Sequence, residues 1–292
     1  MTNLKKIYDN QGYLYKFRAI KQNEAKYIYH KFNQQYSKKK SGIINEEFVY
    51  KPHLILKSFF DLTENKKILK VVKKILGEKI VLWNSLIFYK KTKNFVSFHQ
   101  DLQYWKFKNS NCLTVSLALT HSGINNGCLH VIPGSHKKKY IHKKSFRDKY
   151  NLLGSNQNVE LRNFEKPVPF ILKPGEFTVH HGNILHGSYA NKASSPRALF
   201  AMRFASFENS SKIYKYANYL FDTRNKKKYF IELPRCNKDY DNECLKYREL
   251  LIKDAINLQI SLRIKKLEKF LFFLKFLIFT KIFRKLIYYF LR

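Results

Sequence analysis

The segment SFHQDLQYWKF, residues 97–107, sets His99 and Asp101 two positions apart, flanked by Phe98, Leu102, Tyr104 and Trp105. On an extended strand alternate side chains share a face, so His99 and Asp101 would project together and Phe98 and Gln100 away from them. An imidazole and a carboxylate side by side are two adjacent ligands for a divalent cation. Two histidines and one carboxylate on one face of an octahedron leave three positions open, the arrangement of non-heme Fe(II) oxygenases. Alone, a His-x-Asp pair is more often a solvated pair on an edge strand, so the chemistry depends on a third ligand.

A second segment, PGEFTVHHGNILHGSYANKASSPRALFAMRF at 174–204, offers three candidates for it: His180, His181 and His186. It also carries Arg197. A cation at such a site suits a keto acid that chelates the metal at one end and needs its far carboxylate held at the other. Arginine fits that task because its planar fork grips a carboxylate with two hydrogen bonds and stays charged. Only 11 of the 56 basic residues are arginine, so one placed just after a histidine-rich strand carries more weight than a lysine would. Arg203 has the same strand parity and is the rival clamp. The GCLHVIPGSH stretch adds His130 and His136, which read as hairpin and loop residues rather than ligands.

These side chains need a scaffold. KQNEAKYIYHKFNQQY (21–36) and ENKKILKVVKKILG (64–77) repeat apolar residues at three and four, so residues 1 to about 80 are expected to be partly helical, the second helix stopping at Gly77. From about 80 to 208 short β-rich runs, among them IVLWNSLIFYK, CLTVSLALT, EFTVHH and ALFAMRF, are separated by NN, PGS, KPGE and ASSP turns, which suggests a sandwich or barrel. At 45% hydrophobic, 292 residues suffice for one large core with an appendage, and 209–292 read as a basic, helix-leaning extension.

The formal net charge of +35 would ordinarily raise nucleic acid or an anionic membrane as partner. The excess is lysine spread over the whole length, which is a compositional bias, and a dedicated nucleic-acid surface is not expected. Cys112, Cys128, Cys236 and Cys244 form neither a CxxC pair nor a disulfide ladder. With an N-terminus, MTNLKKIYDN, that lacks the apolar region of a signal peptide, the expected location is the cytoplasm.

HQD followed by a tyrosine and a tryptophan, GCLHVIPGSH, and LHGS followed by an arginine resemble the phytanoyl-CoA dioxygenase family of Fe(II)- and 2-oxoglutarate-dependent oxygenases. The resemblance covers roughly residues 8–206, including LGEKIVLWNSLIFYK. It implies a mainly β fold with flanking helices, a double-stranded β-helix or jelly roll, over 1–208. It implies His99, Asp101 and His186 as the iron ligands and Arg197 as the clamp on the distal carboxylate of 2-oxoglutarate, with Ser188 adding a hydroxyl. Thr114 and Asn84 match positions of further co-substrate contacts, and Tyr104 and Trp105 match residues lining the substrate cavity. The implied reaction consumes O2 and 2-oxoglutarate, releases succinate and CO2, and hydroxylates a small organic substrate. Relatives that chlorinate replace the carboxylate ligand with a small residue, so Asp101 argues for hydroxylation.

The substrate is not legible. Residues 137–169, with KKKYIHKKSFRDKYN, would form a basic lid favouring an anionic compound. Two other readings stand beside the oxygenase: a cupin-like metal-dependent sugar isomerase or epimerase, and a jelly roll that only binds. LEKFLFFLKFLIFTKIFRKLIYYFLR, 267–292, is strongly apolar yet cut by Lys and Arg, too interrupted for a spanning helix. It would lie on an anionic membrane surface or dock on the protein or a second copy.

Overall fold

Asn65 starts one of the helices that back the site: its side-chain oxygen accepts the backbone N–H groups of Lys67 (3.0 Å) and Ile68 (3.3 Å), capping the helix Lys66–Leu76. That helix buries Ile68, Val71, Val72 and Ile75 on one side and ends at Gly77, whose φ of 88° few other residues adopt. The computed structural model describes residues 3–38, 48–144, 148–153, 157–161, 166–211, 213–223 and 229–254. The helix Asn3–Gln11 precedes the first strand, β1 (Tyr13–Arg18), the helices Gln22–Lys38, Lys57–Thr63 and Lys66–Leu76 follow it, and all lie before residue 80.

The strands that follow are β2 (Ile80–Lys90), β3 (Val96–His99), β4 (Cys112–Ala118), β5 (Leu129–Val131), β6 (Lys143–Lys144), β7 (Gln157–Asn158), β8 (Val168–Phe170), β9 (Glu176–His181), β10 (His186–Ser188), β11 (Arg197–Ser206), β12 (Tyr216–Tyr219) and β13 (Ile231–Glu232). Seven form one sheet in the order β1-β9-β4-β11-β2-β12-β13, and four form a second, β3-β10-β5-β8. The fold is a jelly-roll core with flanking helices, as the family resemblance implies and in keeping with the sandwich or barrel that the strand spacing suggests. Two-sided burial explains why these strands read as near-continuous apolar runs: β11 is buried along almost its whole length. Arg197, Leu199 and Arg203 face a cavity between the sheets. Phe200, of opposite parity, packs edge-on against Phe59 of the helix Lys57–Thr63 at 4.9 Å.

The large sheet continues past residue 208, where the sequence reading ends the core. Asn218 and Tyr219 of β12 pair with Leu82 and Val81 of β2. Side chains fix this extension: the Asn218 amide donates to the carbonyls of Leu233 (3.3 Å) and Pro234 (3.1 Å), and the Tyr219 hydroxyl donates to the carbonyl of Phe230 (2.7 Å). One compact unit runs to Cys244. A second begins at Leu245, and its described part, 245–254, is helical. The segment 267–292 lies outside the described residues. Among those described, no helix is long and apolar enough to cross a membrane.

Candidate active site

β3 and β10 are antiparallel neighbours whose register sets His99 opposite His186. From there to the next pair, Val96 with Ser188, three steps on β3 match two on β10, so the ladder carries a bulge. The bulge lets Val96 and His99, out of phase for a regular strand, reach the same cavity as His186 and Ser188.

Both imidazoles are held by the chain. His99 Nδ1 lies 2.8 Å from the carbonyl of Ser97 and His186 Nδ1 3.0 Å from that of Ile184. A carbonyl only accepts, so Nδ1 carries the proton and Nε2 turns a lone pair inward. The two Nε2 atoms stand 3.5 and 3.8 Å from the Asp101 carboxylate oxygens, and one ligand atom from each of the three residues falls within a 4.8 Å group. Burial, then His99, pushes His186 down to about 4 and keeps it a neutral donor at neutral pH. Burial alone would raise Asp101, but the Arg203 guanidinium outweighs it and holds the carboxyl below the usual carboxylate range. Two imidazole nitrogens and one carboxylate, all buried, suit a divalent first-row metal with open positions.

Asp101 does not arrive there on a strand, as SFHQD suggests. β3 stops at His99, and Asp101, at φ −61° and ψ −42°, opens the helical turn Leu102–Trp105. Gln100 ends the ladder: its amide nitrogen donates to the carbonyls of Lys138 (2.8 Å) and Asn183 (2.6 Å), and its backbone N–H donates to His142 Nε2 (2.9 Å).

Arg197 begins β11, opposite Lys90 of β2. It is 2% exposed, and its Nε and Nη1 have no hydrogen-bond partner. Burial lowers it to about 10, so it stays charged, and among the described residues no carboxylate pairs with it. Thr114 Oγ1 is likewise buried without a partner. Ser188 Oγ lies 2.7 Å from Lys90 Nζ. Phe88, Val96, Leu129 and Leu199 supply apolar wall between these groups.

The structure thus gathers His99, Asp101, His186, Arg197, Ser188 and Thr114 around one cavity. His180 also lines it, 4.9 Å ring to ring from His186 and outside the three-ligand group, whereas His181 turns toward Tyr8 and His136 and accepts the Asn183 N–H at 2.9 Å. Three expected positions do not line the cavity. Asn84 is buried opposite Arg203 in the β2–β11 ladder. Trp105 is 2% exposed and packs on Trp83 at 4.8 Å, its ring under the Arg203 guanidinium at 4.9 Å, because the turn after Asp101 directs the indole into the core rather than toward the barrel mouth. Tyr104 sits beside the site, its ring 6.1 Å from His99 and 5.9 Å from His142. Sequence reasoning did not single out Ser116 or Lys90, and ranked Arg203 only as a rival clamp. Arg203 instead stands 3.6 Å from the Asp101 carboxylate. Its strand parity with Arg197 was the available signal.

A jelly roll with two histidines and a carboxylate converging beside a buried arginine is the architecture of the non-heme oxygenase class. The chain belongs to the phytanoyl-CoA dioxygenase (PhyH) family, which it matches over residues 8–199. It is 30% identical over 160 residues to a probable alpha-ketoglutarate-dependent hypophosphite dioxygenase of Stutzerimonas stutzeri, covering 54% of this chain and 56% of that protein. It is 28% identical over 159 residues to human peroxisomal phytanoyl-CoA dioxygenase, covering 51% and 46%. The chain therefore spans about half the length of the curated relatives it matches. Its fold is shared with the apo non-heme monooxygenase ThoJ, at a TM-score of 0.76 and 19% identity over 89% of this chain and 99% of that one.

Proposed function

We propose that this protein is an Fe(II)- and 2-oxoglutarate-dependent dioxygenase that hydroxylates a small organic molecule. The observation that carries this reading is the pairing, in one cavity, of the His99–Asp101–His186 group with a buried arginine that has no carboxylate partner among the described residues. Removing one partner from a buried ion pair costs roughly 3–5 kcal/mol, so a fold that keeps such a guanidinium bare gains from an anion that completes it. When bound, iron supplies the redox chemistry that couples oxidation of 2-oxoglutarate by O2 to succinate and CO2 with hydroxylation of a substrate C–H bond.

The protein's own groups bind and orient. His99 and His186 offer Nε2, Asp101 offers charge, and Arg203 holds that carboxylate ionised. Arg197 and Ser188 form the polar far end, which takes the distal carboxylate, while Thr114, opposite Arg203 in the β4–β11 ladder, adds a hydroxyl toward the metal end. The apolar wall keeps water from the space between. Asp101, a carboxylate where chlorinating relatives carry a small residue, supports hydroxylation as the outcome. Neither a cupin-like sugar isomerase nor a jelly roll that only binds is favoured beside the family match and the metal group paired with a buried arginine. Exposed Lys138, Lys139 and Lys143 support an anionic substrate, and the proposed location is the cytoplasm.

The test is formation of succinate. Purified protein with Fe(II), ascorbate and 2-oxoglutarate in air should release succinate slowly, and faster once the right substrate is present. No succinate with any iron loading would remove the reading.

A further inference from the structure

Lys90 closes β2 at 0% exposure, opposite Arg197 in the ladder. Two buried basic side chains thus stand side by side at the far end of the cavity, with no carboxylate paired to either among the described residues. Lys90 Nζ has three partners: the carbonyl of Gly127 at 3.0 Å, the carbonyl of Tyr189 at close range, and Ser188 Oγ at 2.7 Å. Gly127 makes room for it, since a Cβ there would stand 2.5 Å from Nζ.

Carbonyls only accept, so two N–H bonds are committed to Gly127 and Tyr189. The third contact decides which way Ser188 works. Against an ammonium, Ser188 Oγ accepts and its own hydrogen is left for the cavity. Against a neutral amine, Ser188 donates to Nζ and turns lone pairs toward the cavity, which would repel a carboxylate.

We propose that Lys90 is a positioning residue for the co-substrate: it orients the Ser188 hydroxyl as a donor and adds a second positive charge beside Arg197, so that the far end selects 2-oxo acids bearing a distal carboxylate. This rests on the reading of the cavity as a 2-oxoglutarate site. The titratable and charged groups set against Lys90 among the described residues are Arg197 from β11, the Cys128 thiol from the loop before β5, and His130 from β5. Burial, then Arg197, pushes Lys90 down to about 6. A carboxylate in the cavity favours the ammonium, so near neutral pH binding draws a proton onto Lys90, and affinity falls as pH rises.

The experiment uses full-length, Fe(II)-loaded protein under anaerobic conditions. Dissociation constants are measured for 2-oxoglutarate and for 2-oxopentanoate, which has the same chain without the distal carboxylate, between about pH 6 and about pH 8. Lys90→Met should weaken 2-oxoglutarate about tenfold, the loss of one charge-assisted hydrogen bond, while leaving 2-oxopentanoate nearly unchanged. It should also flatten the pH dependence of the ratio of the two constants, and its effect should shrink in a Ser188→Ala background. Losses equal for both acids, or no loss, in protein whose 2-oxoglutarate affinity still falls with Arg197→Lys, would overturn the role of Lys90 alone. Wild-type protein that binds no 2-oxoglutarate would overturn the co-substrate reading instead. If Lys90→Met does not fold, Lys90→Gln and the single variant Ser188→Ala carry the same comparison: selective loss of 2-oxoglutarate supports the proposal, and equal loss of both acids overturns it.

Discussion

His99 and His186 face each other across the β3–β10 ladder with ring centroids 4.3 Å apart, each ring pinned through Nδ1 to a main-chain carbonyl of its own strand region. The pair is thus set by backbone register, before any metal is considered, and Asp101 is delivered to it by the turn that follows.

The first expectation concerns this group. His99→Ala, Asp101→Ala and His186→Ala each remove one of three ligands, so Fe(II) affinity should fall by roughly a hundredfold or more while circular dichroism stays close to wild type. His180→Ala should retain metal, because that ring lies outside the three-ligand group. Isothermal titration with Fe(II) or Mn(II) distinguishes the cases; retention in His186→Ala with loss in His180→Ala would move the third ligand.

A second expectation concerns the clamp. Arg197→Lys keeps a charge but loses the fork, so 2-oxoglutarate affinity should drop about 10–100-fold with metal affinity unchanged. Equal affinity in the variant would show that Arg197 is not the clamp.

Much of this was legible because it is written in short-range pattern. His99, Asp101 and Arg197 stood out by residue type and spacing, His186 was singled out from three histidines only by the family resemblance, and the helices and strands followed from period and turn residues. Asp101's turn could not be read, because Gln100 is pulled from the ladder by groups 38 and 83 residues away. Lys90 is hidden in a YKKTKN run where neighbouring lysines are exposed, and only the pairing of β2 with β11 buries it. β12 lies in a stretch whose composition leans to helix, and it is a strand because β2 offers a free edge and Asn218 fixes it there. Trp105 looked like a mouth aromatic because sequence gives its distance from HQD but not the direction of the turn.

Acid should destabilise the fold partly through His181. Its neutral Nδ1 accepts the Asn183 N–H, and burial, then His136, holds its pKa at about 4. The unfolded chain takes up this proton near pH 6.5 and the folded one only near 4, so the stabilisation is complete above about 6.5 and is lost as pH falls toward 4. Melting temperature should decline over that window, and less steeply in His181→Gln; identical slopes would show that His181 is not the group responsible.

The C-terminal segment is tested by deletion. All assigned ligands precede residue 205, so protein lacking 260–292 should bind metal and 2-oxoglutarate as before. Salt-sensitive co-sedimentation with anionic liposomes, lost on deletion, would assign 267–292 to a membrane surface. A change in oligomer size without liposome binding would assign it to self-association.

The central claim, that one cavity holds iron at His99, Asp101 and His186 and 2-oxoglutarate between that iron and Arg197, is tested most directly by anaerobic titration of the Fe(II)-loaded protein with 2-oxoglutarate, followed by visible absorption. The account expects a weak metal-to-ligand charge-transfer band that saturates at one equivalent, is absent in His186→Ala, and needs higher 2-oxoglutarate in Arg197→Lys. No band in wild-type protein that demonstrably binds Fe(II), or a band indifferent to both substitutions, would contradict it.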